Sequence, residues 1–301
     1  MGDDGSSGRH GGTSGTPAGG ATGGGGRFRR DPHPSLRPFV VEYWGLARDL
    51  AAMGGFTITP DRFGELICCA DALYAVGRDG RERLPDCFLV GLLEGPLRIE
   101  ADGVVRCMAA RLQPWTVGRL LARGPGPTPG GWMAAGALLG PRLARVVELV
   151  RGRDWEALFG IYDRILMEEI GRRDLGGAAI EVVGPFLGEG PCPTAAVADG
   201  RDTSRRQVER RVRALTGTSP KRLAGLARFQ RARDAIWADP AIGLAGLAIS
   251  AGYSDQAHMT REFRRYAGQT PARFAREMLA RKLQLAALDV AFVQDPPSAD
   301  A

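Results

Sequence analysis

Between Thr203 and Ala275 the chain repeats one local design at an offset of 51 residues, which sets Arg206 against Ala257. The copies are TSRRQVERRVRALTGTSP, from Thr203 to Pro220, and AGYSDQAHMTREFRRYAGQTP, from Ala251 to Pro271. Each runs turn, basic helix, Gly, Thr or Ser, Pro. Start and stop signals of this kind at both ends of an amphipathic run specify a helix and nothing else, so the C-terminal third is expected to be all-helical.

In the second copy, LAGLAIS (residues 244–250) has apolar residues at helical spacing, and Ala251-Gly252-Tyr253-Ser254 breaks it with a residue that enters a positive-φ turn cheaply. Ser254 or Asp255 caps the next helix, expected from Gln256 to Ala267, where Gly268 stops it and Pro271 opens another. Met259, Phe263 and Tyr266 or Ala267 fall on the inner face. Gln256, Ala257, His258, Arg261 and Arg265 fall on the others, where they can meet base edges and phosphates. The first copy has Ser204 as cap and an inner stripe of Val208, Val212 and Leu215, surrounded by Arg205, Arg206, Gln207, Glu209, Arg210, Arg211 and Arg213. Its preceding turn, residues 197–204, has Arg201 where the second copy has Gly252, and Gly200 interrupts the supporting helix, so base specificity is expected to rest more on the second copy. Leu223, Leu226, Phe229 or Gln230, Ala232 and Ile236 fit one connecting helix that ends near Asp239-Pro240. About twenty helical residues span roughly 30 Å, close to the ~34 Å that separates successive major-groove faces of a duplex.

Charge follows the same division. From Gly200 to Lys282, 18 Lys and Arg stand against seven Asp and Glu, a surplus of 11 in a chain whose total is +6. The remainder is therefore acidic, and the localised excess is a footprint for phosphate. Nearly all these cations are Arg, whose planar fork suits both guanine edges and phosphate oxygens.

These residues resemble the DNA-binding domain of the AraC/XylS family of bacterial transcription regulators. The pattern A-x-x-x-G-[FY]-x-[DS]-x-x-x-[FM]-x-x-x-F-[RK]-x-x-x-G-x-[TS]-P stands here as Ala248 to Pro271, with Met259 where the family usually has Phe. The resemblance covers about Ala178 to Glu277. It implies two helix-turn-helix units and base contacts by Arg206, Glu209 and Arg210 in the first and by Gln256, Ala257, His258 and Arg261 in the second. Double-stranded DNA is the implied partner, with RNA polymerase and a second copy of the chain as further candidates.

The rest of the chain divides by composition. Residues 1–27 are a Gly-rich tail with almost no apolar content, expected to stay disordered, and residues 286–301 a flexible tail. Residues 28–133 hold short apolar runs, FVVEYWGLA, FTITPD, GELICCA, ALYAVG, CFLVGLL, LRIEA and VVRCMAARL, with turns at Asp79-Gly80 and Asp102-Gly103. They read as about seven strands closing into a small antiparallel β-barrel or sandwich. This part resembles the cupin-type effector domain of many family members, through Pro-x-Leu-x-Pro-[FY]-Val-x-x-Tyr-Trp at Pro34 to Trp44 and Pro-Asp-x-x-x-Glu-Leu-Ile at Pro60 to Ile67. The resemblance implies a small-molecule effector without naming it, and Trp44, Phe63 and Tyr74 are candidates to line its pocket. In residues 134–175 one helical stripe is Leu138, Leu139, Leu143, Val146, Val147 and Val150, and another is Leu158, Ile161, Tyr162, Ile165, Leu166 and Ile170. Either they form a connector and dimer contact, or they pack on the barrel. Residues 176–285 complete the DNA-binding half, giving an α+β chain of two domains.

Other chemistries are poorly served. Four of the five cysteines, Cys68, Cys69, Cys87 and Cys107, lack paired zinc spacing, because Cys68 and Cys69 are adjacent and point to opposite faces of a strand. They read as buried core residues, free thiols of a reducing compartment. His10, His33 and His258 are scattered, and no GxSxG, phosphate loop with Lys or HExxH is present. Neither catalytic residues, a metal nor a cofactor are expected, and no run is long enough for a membrane span. The chain reads as a cytoplasmic regulator. Alternatives are a DNA-alkylation-repair protein acting through Cys thiolates and a less specific DNA-binding protein.

Overall fold

The computed structural model describes residues 27–77, 80–121, 131–136, 140–171, 176–188, 197 and 204–286. The N-terminal part is two antiparallel sheets laid face to face. The larger takes β1 (Arg27–Arg30), β2 (Val40–Asp49), β4 (Gly64–Cys69), β7 (Cys87–Val90), β9 (Val104–Leu112) and β10 (Trp132–Ala134), in the order β1-β2-β9-β4-β7-β10. The smaller takes β3 (Phe56–Ile58), β5 (Tyr74–Gly77), β6 (Gly80–Arg83) and β8 (Leu97–Glu100), in the order β3-β8-β5-β6.

The expected closed barrel is not formed, and both sheets are open. Strands β1 and β10 lie at opposite edges of the larger sheet, and β3 and β6 at opposite edges of the smaller, so no first strand meets a last one. Edge strand β6, Gly-Arg-Glu-Arg, is exposed throughout and charged, which blunts it against further pairing. The chain crosses from sheet to sheet after β2, β3, β4, β6, β7 and β8, so the Asp102-Gly103 turn links the two sheets and is no hairpin.

The central strands are buried on both faces, with period two. Leu66 and Cys68 of β4, Cys87 and Leu89 of β7, and Met108 and Ala110 of β9 face one core. Ile67, Cys69, Phe88, Val90, Cys107 and Ala109 face the other, between the sheets. Helices α2 (Leu143–Gly152) and α3 (Trp155–Gly171) cover the outer core. Asp154 caps α3, its Oδ1 accepting from Ala157 N at 3.2 Å. Leu158, Tyr162, Ile165 and Leu166 are buried against the sheet and Ile161 packs beside them. Leu138 and Leu139 lie outside the described residues.

All four cysteines in the sheets are buried. Cys69 and Cys107 are free, as expected, whereas Cys68 and Cys87 form a disulfide, which corrects the expectation of free thiols for this pair. They lie directly opposite each other on β4 and β7. Strand register, which spacing along the chain does not reveal, makes the pair.

Helix α1 (Pro114–Leu121) leaves β9 and reaches the C-terminal half, where α4 (Gly176–Val183), α5 (Arg205–Thr216), α6 (Pro220–Ala238), α7 (Leu244–Ser250), α8 (Gln256–Ala267) and α9 (Pro271–Ala286) pack. Trp115 of α1 sits in one apolar cluster with Val183, Phe186, Val208, Val212 and Leu223. A Cβ on Gly118 would collide with the Leu215 carbonyl oxygen, so α1 and α5 touch backbone to backbone. A second cluster gathers Phe229, Leu247, Met259, Phe263, Tyr266 and Phe274. The segment after β7 joins both, because Leu92 packs against the two clusters alike. Arg222 at the start of α6 pairs with Glu94 and donates to Leu92 O at 3.0 Å, and Gly268, at the end of α8, lies beside Pro96.

Candidate nucleic-acid interface

Helix α5 begins where the sequence places it. Ser204 Oγ accepts from Gln207 N at 3.2 Å and Gln207 Oε1 from Ser204 N at 2.9 Å, a reciprocal cap. Val208, Val212 and Thr216 face inward, with Leu215 partly buried. Helix α8 repeats the arrangement. Asp255 caps it by accepting from His258 N at 2.7 Å, and this bond, with the Ser254 hydroxyl, holds its carboxyl below the usual range. Met259, Phe263 and Tyr266 are buried. Both helices end on a left-handed glycine, Gly217 at φ 72° and Gly268 at φ 70°, which terminates the helix at matching positions of the repeat.

The outward faces match as well. Arg206, Glu209, Arg210 and Arg213 line a shallow exposed concavity on α5 together with Ser204 and Gln207. Gln256, Ala257, Thr260, Arg261 and Arg264 line its counterpart on α8. Positions 206, 209, 210 and 213 correspond through the 51-residue offset to 257, 260, 261 and 264. Sequence reasoning overlooked Thr260 and Arg264, although continuing the same three- and four-residue spacing one turn further along α8 reaches both. Arg265 is exposed but stands outside this face, its guanidinium 5.5 Å from the Tyr266 ring. His258 is turned toward the protein, with Nδ1 3.1 Å from Ser254 Oγ and its ring edge-on to Tyr253. The turn at residues 198–203, on which the expectation of a weakened first support rests, lies outside the described residues.

Arginines beneath these faces are committed. Arg228 contacts both Glu262 oxygens at 3.1 and 3.2 Å, and Arg231 donates to Gly188 O and Ala251 O. Among the described residues, no salt bridge holds Arg206, Arg210, Arg213, Arg261 or Arg264. Helix α6, 19 residues and so about 28 Å long, separates the two faces in the chain. Its Leu223, Leu226, Phe229, Ala232 and Ile236 are buried, as is Gln230. Two capped basic helices with matched outward arginines are a surface for the two edges of a nucleic-acid backbone and the bases between.

Residues 197–277 match the helix-turn-helix domain family. The match takes in α5 to α8 and the start of α9, so the C-terminal part of the chain carries a helix-turn-helix domain. No curated protein sequence matches the chain. Among solved structures, ToxT from Vibrio cholerae O395 aligns over 79% of this chain and 98% of its own at 10% identity and a TM-score of 0.42. Wild-type ToxT from Vibrio cholerae strain SCE256, bound to an unsaturated fatty acid, aligns over 82% and 96% at 9% identity and a TM-score of 0.39. A DNA-binding transcriptional dual regulator from Escherichia coli K-12 aligns over 36% and 98% at 22% identity and a TM-score of 0.30. The helix-turn-helix match and the geometry of the two faces, rather than these distant likenesses, carry the assignment to DNA.

The second site is a cavity of about 150 Å³ between the two sheets. Of the three aromatics nominated from the sequence, Trp44 lines it and the other two do not. Phe63 is stacked under the Arg62 and Arg111 guanidiniums, at 5.0 and 4.6 Å, and Tyr74 under Arg81 at 4.0 Å. Sequence reasoning did not foresee that Arg233, Asp234 and Trp237 of α6 and Phe274 of α9 form part of the wall. Arg111 is held there between Asp61 and Glu65, and although burial works against its charge, those carboxylates outweigh it and raise its pKa. Among the described residues no group of three His, Cys, Asp or Glu is placed to hold a metal ion. Nor is any helix among them long and apolar enough to cross a membrane.

Proposed function

We propose that this protein is a sequence-specific transcription regulator of the AraC/XylS type, in which a small molecule held by the sheet domain biases the DNA-binding domain. One observation carries the reading: α6, the helix between the two reading units, also walls the cavity between the sheets. An occupant of that cavity touches the element that sets the spacing of the reading helices, so its binding energy has a direct route to DNA affinity. The DNA contacts belong to Arg206, Glu209 and Arg210 on α5 and to Gln256, Ala257 and Arg261 on α8. His258 serves as a positioning residue at the start of α8. The chain would act in the cytoplasm, with RNA polymerase as its downstream partner.

Binding-site selection followed by footprinting tests this. A site of about 15–20 base pairs spanning two successive major grooves is expected. Sequence-indifferent binding with a steep salt dependence would reduce the protein to a general DNA binder. Repair through a Cys thiolate is disfavoured by the cysteines themselves. Cys68 and Cys87 are joined, and burial, with Cys107 beside it, pushes the Cys69 thiol well above its ordinary value.

A further inference from the structure

Matched through the 51-residue offset, the outward faces of α5 and α8 agree at one end and part at the other. Nearer the C-terminus of each helix they carry the same residues, Arg210 with Arg261 and Arg213 with Arg264. Nearer the N-terminus, Arg206 and Glu209 of α5 stand against Ala257 and Thr260 of α8. The N-terminal part of a recognition helix is the part that meets base edges in the major groove. The copies therefore differ where bases are read.

The chemistry at these positions is opposite in kind. Arg206 presents a planar fork of donors that matches the O6 and N7 acceptors of guanine, and Glu209 presents acceptors that match the N4 amino group of cytosine. Both side chains are exposed, and among the described residues neither forms a salt bridge or a side-chain hydrogen bond. Gln207, on the same face, is spent on Ser204 at the cap. On α8 the matching surface is uncharged. Ala257 and the Thr260 methyl offer apolar contact, and the group of the major groove that returns it is the C5-methyl of thymine. Gln256, exposed in the first turn, carries the donor and acceptor that complement adenine N7 and N6. One helix suits G·C pairs, the other A·T pairs.

We propose that the DNA site consists of two unlike boxes in a fixed order, a G·C box under Arg206 and Glu209 of α5 and an A·T box under Gln256, Ala257 and Thr260 of α8. The proposal rests on reading α5 and α8 as the DNA-contacting helices. Unlike boxes have no two-fold axis between them, so such a site fixes the direction in which the sheet domain faces along the duplex.

The test is selection of random duplexes by the full chain, followed by competition on the enriched site. The wild-type protein is expected to enrich one box of each kind, always in the same order. Arg206→Ala combined with Glu209→Thr is expected to convert the G·C box to A·T and leave the other unchanged. Ala257→Arg combined with Thr260→Glu is expected to convert the A·T box to G·C. Deoxyuridine in place of thymine removes only the C5-methyl. In the A·T box it is expected to weaken binding about fourfold, the worth of one buried methyl. This exchange leaves the protein untouched, so it decides the question should a double variant melt below the wild type. Two like boxes, boxes that keep their sequence in both variants, or an A·T box indifferent to deoxyuridine would each overturn the proposal while sequence-specific binding stands. Enrichment of no sequence removes the regulator reading itself, and the proposal with it.

Discussion

Arg210 and Arg261 occupy the same position of the two repeats, each exposed on the outward face of a capped helix. Arg261→Ala is expected to relax preference at one base pair by about 1–3 kcal/mol, measured by selection on a randomised site. Arg264→Ala, one turn further along α8, is expected to weaken binding to all sequences alike and to lower the slope of log affinity against log salt by about one. If both changes altered base preference equally, the division of labour along α8 would be wrong. Asp255 gives a pH prediction. Its carboxyl is held below the usual range by the helix N-terminus and the Ser254 hydroxyl, so the stability it lends is full above about pH 4 and is lost as pH falls through the lower folded-state value. Asp255→Asn keeps an acceptor at the cap and is expected to flatten this acid limb, read by far-ultraviolet circular dichroism below about pH 4.

Among the elements, α5, α6 and α8 were legible because their signals are local: Ser204 and Asp255 as caps, Gly217 and Gly268 as stops, apolar residues at helical spacing between. The strands were legible as strands, but their closure was not. Runs such as Leu66-Ile67-Cys68-Cys69 and Cys87-Phe88-Leu89-Val90 are apolar at every position because each face meets a different core, which a barrel with a solvated outer face does not require. Which sheet a strand joins depends on partners far along the chain, and so do the Cys68–Cys87 pairing and the cavity wall supplied by α6. Phe63 and Tyr74 illustrate the same limit, since aromatic type does not tell a pocket wall from a platform under arginine. The contact between α1 and α5 yields a prediction of its own. Gly118→Ala forces a methyl against the Leu215 carbonyl and is expected to cost about 1–3 kcal/mol, read as a lower melting temperature. Unchanged stability would mean that α1 and α5 are not held together in solution.

For the molecule as a whole, the two cores flanking the larger sheet belong to the N-terminal part, whereas Trp115 is shared with the helices. A fragment of residues 28–175 is therefore expected to melt cooperatively alone. A fragment of residues 176–285 is expected to bind DNA but to melt below the intact chain, having lost Trp115 and Leu92. An N-terminal fragment without a cooperative transition would show that the halves fold as one. Leu92 has a wider consequence. Among the described residues it is the one side chain packed into the apolar clusters of both reading units, it sits outside them, and it follows by four residues Phe88, which walls the cavity. The two reading helices thus resemble the jaws of a caliper whose setting screw belongs to another part, and a shift of β7 is expected to change the gap between them. Such an instrument rejects DNA by measure as well as by letter: inserting a base pair between half-sites would cost the unliganded and liganded protein different amounts.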